Sequence, residues 1–67
     1  MTAAQFELID DTEAEAILRW RFEELLHAGY DPGAALVVAS HVDVDLHHAA
    51  ALVRRGCPPE TALRILI

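Results

Sequence analysis

The chain has 67 residues, 54% of them apolar, with mean hydropathy +0.24 and a formal charge of −6. That length supports one small domain whose single core is barely sufficient. Five arginines and no lysine, outnumbered by eleven acids, disfavour binding to nucleic acid, which needs a basic stripe to displace phosphate counterions.

A lone cysteine, Cys57, rules out an internal disulfide. No apolar run approaches a membrane span, and Met1-Thr2-Ala3-Ala4-Gln5 lacks the positive start of a signal peptide. The expected setting is therefore the cytoplasm, without membrane association. The alanine, arginine and valine bias without lysine fits a GC-rich bacterial genome. Alanine makes up much of the apolar fraction and buries little area per residue, which leaves apolar surface for another chain.

Residues 1–11 read as a flexible or loosely packed tail, with Phe6, Leu8 and Ile9 as candidate anchors. A single helical domain over 12–67 should follow. Thr12 and Glu15 form a capping-box pattern, so helix one is expected from Thr12 to about Ala28. Ala14, Leu18, Phe22, Leu25 and Leu26 share one face of it, with Ile17 and Arg21 beside them. Trp20 falls nearly opposite, with Ala16, Glu23 and His27. Two readings of that outward tryptophan stand: the 6–9 segment folds over it, or it touches a partner.

Gly29 stops helix one, and Asp31 with Pro32 starts helix two over 32–40. Helix two is apolar nearly all round, which predicts the buried middle of the fold. Residues 41–45 form a loop with Val42 and Val44 turned inward. Asp45 caps helix three, about 45–55, whose Leu46, Ala49, Ala50 and Val53 share a face with Leu52 at its edge. Arg54 and Arg55 suit its last turn, and Gly56 ends it. Pro58-Pro59 opens helix four, 58–67, whose Ala62, Leu63, Ile65 and Leu66 are expected to close the core. The apolar run Ile65-Leu66-Ile67 should be buried in this fold or against another chain. The glycine, proline, alanine and leucine of 29–36 recur in 56–63, which reads as two helix-turn-helix hairpins. Two copies are too few for a solenoid.

The fold class expected from these elements is all-α, a small orthogonal bundle of three to four helices. Leu25-Leu26-His27-Ala28-Gly29-Tyr30, a short helix bearing Ala35 and Ala39, then Asp45-Leu46-His47-His48-Ala49 and Val53-Arg54-Arg55-Gly56 resemble the ubiquitin-associated (UBA-like) domain, and also the UBA-like N-terminal domain of elongation factor Ts. The resemblance spans roughly 21–56 and implies a UBA-like core with an additional C-terminal helix. In that family the turn after the first helix and the end of the third bind a protein partner. Transferred residue by residue, the surface is Ala28, Gly29, Tyr30, Leu52 and Val53. This chain departs from the family at Ala28, where methionine is usual.

No catalytic signature and no cofactor motif is present. His41, Asp43, Asp45, His47 and His48 invite a metal, but neighbouring His47 and His48 project about 100° apart on a helix, and a solvated helix start is the plainer reading. Cys57 reads as a small filler rather than a nucleophile. The acids of the N-terminal half suit solubility or recognition of a basic partner. The functional expectation is a non-enzymatic interaction module with a protein partner, contacting it through Ala28, Gly29, Tyr30, Leu52 and Val53, with Trp20 as a further contact. The alternative is an obligate homodimeric regulator, antitoxin-like or transcription-associated.

Overall fold

A computed structural model describes residues 1–67 as five helices and no strand: α1 (Ala3–Glu7), α2 (Asp11–Ala28), α3 (Pro32–Ser40), α4 (Leu46–Arg54) and α5 (Pro59–Leu66). The chain is all-α. None of its helices is long and apolar enough to cross a membrane. Its envelope is 36 × 18 × 17 Å. Such elongation follows when one 18-residue helix, about 27 Å long, outruns partners of eight or nine residues.

Four of the five helices start where a side chain accepts an otherwise unpaired backbone N–H; α5 opens on Pro58-Pro59 with no side-chain cap. Asp31 Oδ2 accepts from the Ala34 N–H at 3.3 Å, and Pro32 occupies the first position of α3. Asp45 Oδ1 accepts from the His47 N–H at 2.8 Å. At α2 the cap is Asp10, whose Oδ1 accepts from the Glu13 N–H at 2.8 Å. Thr12 and Glu15 therefore lie inside the helix instead of forming its capping box. That box forms upstream, within the segment read as a tail: Thr2 Oγ1 accepts from the Gln5 N–H at 3.1 Å and Gln5 Oε1 from the Thr2 N–H at 3.0 Å. It organises α1, which nevertheless supplies no residue to the buried cluster.

The two glycine turns share one geometry. The Tyr30 N–H donates to the Leu25 carbonyl at 3.0 Å and the Gly29 N–H to Leu26 at 3.1 Å. Cys57 and Gly56 repeat the pattern toward Leu52 and Val53, each at 3.0 Å. Both are Schellman closures, and Gly29 (φ 120°) and Gly56 (φ 95°) take the positive φ such closures require.

Leu25, Tyr30, Ala34, Ala35, Val38, Ala39, Ala49 and Ala62 form the buried cluster, with Val42 also buried. Five of those eight side chains are alanine, so the cluster buries little apolar area for its residue count. It is small because α3 is covered on one side only, by α2 and α5. Leu36 (60% exposed) and Val37 face solvent, contrary to the expectation that α3 is enclosed all round. A chain of this length has too few helices to surround one of them. Likewise α5 turns Ala62, Leu63 and Leu66 inward and leaves Ile65 and Ile67 exposed, so its apolar end is not buried within the fold.

What the alanine-rich cluster lacks in area is supplied in part by Arg21. It is 7% exposed, and its guanidinium fans onto backbone carbonyls where α3 ends. Nε donates to Ala39 O at 3.2 Å; Nη2 donates to Val44 O at 3.0 Å, His41 O at 3.1 Å and, most weakly, Val38 O at 3.4 Å. The last carbonyls of a helix have no intrahelical donor, and they carry the negative end of its dipole. One cation answers both conditions and ties α2 to the end of α3 and to the 41–45 loop. Burial pulls the guanidinium below its ordinary pKa, while the Asp43 and Asp45 charges push the other way. An arginine guanidinium nevertheless stays charged at neutral pH.

Replacing Arg21 by Ala removes the donor and leaves those carbonyls short of partners. Charged hydrogen bonds of this kind contribute about 1.5–3 kcal/mol, so a loss of about 2–4 kcal/mol is expected. A domain this small holds only about 3–5 kcal/mol in total. Urea titration followed by circular dichroism should therefore find the Arg21→Ala midpoint moved close to zero denaturant, with Arg21→Lys intermediate because an ammonium lacks the planar fork.

Candidate functional site

The residues singled out from sequence fall into two places. The first is where the end of α2 meets the end of α4. An added Cβ at Gly29 would stand 3.0 Å from Val53 Cγ1, so the turn and α4 pack against each other there. Ala28, Leu52 and Val53 are half-buried and pack on the core cluster; Gly29 is exposed. The structure thus brings Ala28, Gly29, Leu52 and Val53 to a common edge.

Tyr30 belongs to this edge in position but is not on its surface. It is 3% exposed, and its hydroxyl donates to the Ala49 carbonyl of α4 at 2.7 Å. The backbone closure dictates this. The residue after the glycine of a Schellman turn packs back on the helix it terminates, and here Leu25 supplies both the closing carbonyl and the apolar neighbour. The glycine-aromatic pair, read as a contact site, was the signal for a core tyrosine. Tyr30 as a direct contact residue is corrected on that ground; it is the post under the edge. Cys57 holds the equivalent place in the second turn and is half-buried against the cluster.

Trp20 marks the second place. It is 56% exposed on the middle of α2. The 6–9 segment does not cover it; Leu8 is itself exposed, and only Met1 of the N-terminal segment reaches the same groove. That groove, of about 640 Å³, runs between α2 and α4, with Ile17, Trp20 and Glu24 on one wall and Leu46, Ala50 and Arg54 on the other. Val44, Asp45 and His47 lie at the start of α4, and the Arg21 stem and Leu25 lie beneath.

The histidines do not assemble with the acids around an ion. His41 Nδ1 lies 2.7 Å from the Val37 carbonyl, to which the ring donates, so this side chain serves the end of α3. His47 and His48 are exposed on α4, and no group of three or more metal-ligating side chains is gathered anywhere. The Arg19–Glu15 pair at 3.3 Å is exposed on both sides and contributes little. No family model matches the chain, and neither a curated protein nor a solved structure matches it.

The burial of Tyr30 sets a measurable expectation. Desolvation, reinforced by the negative charge of a Cys57 thiolate, raises the phenol above its ordinary 10.0. The folded state holds that proton more tightly than the unfolded chain, so its contribution is complete below pH 10 and is lost as pH rises through the raised value. As the only tyrosine, it can be titrated by ultraviolet absorbance without interference. Tyrosinate should form above the ordinary range and together with loss of helicity. Tyr30→Phe, which deletes the bond to Ala49, should cost about 1 kcal/mol, or about 4–8 °C in Tm.

Proposed function

We propose that this chain is a small protein-interaction module of UBA-like build, without enzymatic activity or a cofactor of its own. The observation that carries the proposal is Trp20. A tryptophan more than half exposed on the rigid middle of the longest helix, over a formed groove, is the kind of anchor that dominates protein interfaces. In this reading Trp20 is the principal contact. Ala28, Gly29, Leu52 and Val53 form a second edge, held in place by Tyr30 from below. The net charge of −6 weighs against nucleic acid as the partner.

A second reading, an obligate homodimer acting as a small regulator, has one observation in its favour. Leu36 and Val37 of α3 and Ile65 and Ile67 at the end of the chain are exposed on helices that pack against each other.

A photoreactive phenylalanine analogue at position 20, expressed in the organism that encodes the chain, separates these outcomes. A discrete adduct well above twice 7.4 kDa, absent when the same probe replaces the exposed Thr61, is expected. An adduct at twice 7.4 kDa places a second copy on the Trp20 groove, whereas a homodimer through α3 and α5 is tested by sizing, where a 7.4 kDa monomer at every dilution excludes it. No adduct from position 20 contradicts the proposal.

A further inference from the structure

The groove beside Trp20 has a shape and a charge that together select a class of occupant. Its apolar lining, Ile17 and Trp20 from α2 with Leu46 and Ala50 from α4, lies between two helices. Ile17 to Glu24 is two helical turns, about 10 Å of α2. Such a trough accepts the apolar stripe of another helix, read as two or three anchors at i, i+3 or i+4 spacing.

Charge decides which helix. Glu24 and Asp45 stand on the rim and neither is in an ion pair; Glu24 is free of other bonds, while Asp45 Oδ1 also caps α4 at the His47 N–H. Arg54 and the exposed His47 are the groove's other polar side chains. Arg21 lies beneath, but its guanidinium is committed to four carbonyls of the same chain. Residues 1–33, which include all of α2, hold eight carboxylates (Glu7, Asp10, Asp11, Glu13, Glu15, Glu23, Glu24 and Asp31) against Arg19 and Arg21 alone. Residues 34–67 are balanced, with Asp43, Asp45 and Glu60 against Arg54, Arg55 and Arg64. The whole formal charge of −6 therefore sits in the N-terminal half, and helical spacing sets three of its carboxylates, Glu13, Glu23 and Glu24, on the α2 face that carries Trp20. A second copy laid on the groove about a two-fold axis would bring this wall against its like, which is unfavourable.

Building on the interaction-module reading, we propose that the α2–α4 groove binds a short basic amphipathic helix. Its apolar face seats on Ile17, Trp20, Leu46 and Ala50, and its flanking lysines or arginines meet Glu24, Asp45 and, along the same α2 face, Glu13 and Glu23. The acidic field speeds encounter and rejects acidic partners, while Trp20 supplies the anchor.

Trp20 is the only tryptophan, so its fluorescence reports the groove directly. The probes are three synthetic helices of about four turns with the same leucine stripe and with lysine, glutamine or glutamate at every other position. The lysine helix should give a saturable blue shift, with affinity at least tenfold above that of the glutamine helix and falling as salt screens the rim. The glutamate helix should give none. Glu24→Lys should weaken lysine-helix binding several-fold, and Ala50→Leu, which fills the groove from its α4 wall, should abolish it; far-ultraviolet circular dichroism checks that both variants stay helical. Equal binding of the lysine and glutamine helices overturns the charge assignment. An absent shift, or binding that survives Ala50→Leu, overturns the groove. Either result leaves the photocrosslinking at position 20 to judge the interaction module separately.

Discussion

The fold depends on one buried cation placed against the end of one helix. Arg21 reaches from α2 to the carbonyls of Val38, Ala39, His41 and Val44, and so joins three segments that apolar contact alone holds weakly. Only ten residues are buried, and the two largest side chains fully removed from solvent are Leu25 and Val38. In a large core such a guanidinium would be a costly substitute for apolar packing. Here the alternative is an alanine-rich contact with few methylenes to bury, and the carbonyls at the end of α3 need donors in any case. The His41 ring serves the same terminus through the Val37 carbonyl, and Ser40 Oγ donates to Leu36 O at 2.8 Å. The exit of α3 is thus closed by side chains from two helices and the loop.

This arrangement fixes what is presented outside. With its Arg21 side turned inward, α2 carries Trp20 on the neighbouring face, toward the groove shared with α4. The Tyr30–Ala49 bond sets the separation of α2 and α4 at the other end. The same two polar anchors that supplement a small core therefore hold the groove walls in register. A binding surface on rigid helices keeps its shape in the free state, which limits the ordering cost of association.

What could be read from the residues was the local chemistry. Asp31-Pro32, Asp45, Gly29 and Gly56 punctuate the helices because capping and positive φ involve neighbours only, and both inward valines of the 41–45 loop are legible for the same reason. Asp10 was hidden because Thr12-x-x-Glu15 offered a competing cap within two residues, and α1 because five residues show no periodicity. Long-range placement was out of reach. Arg21 read as a flanking polar residue, since nothing near it reveals that its partners lie 17 to 23 positions away. The glycine-aromatic pattern alone suggests a surface Tyr30, although the turn type points the residue after the glycine inward. The exposure of Leu36, Val37, Ile65 and Ile67 follows from the number of helices available to cover them, which no local pattern reports.

The central claim is that a single arginine is locked on carbonyls inside the fold. Proton exchange at the arginine Nε–H groups, followed by nitrogen-resolved NMR at neutral pH, tests it directly. One of the five arginines, assigned as Arg21 by its loss in Arg21→Lys, should exchange far more slowly than Arg19, Arg54, Arg55 and Arg64, which are exposed. Five arginines exchanging alike, on a chain that circular dichroism shows to be helical, would contradict the account.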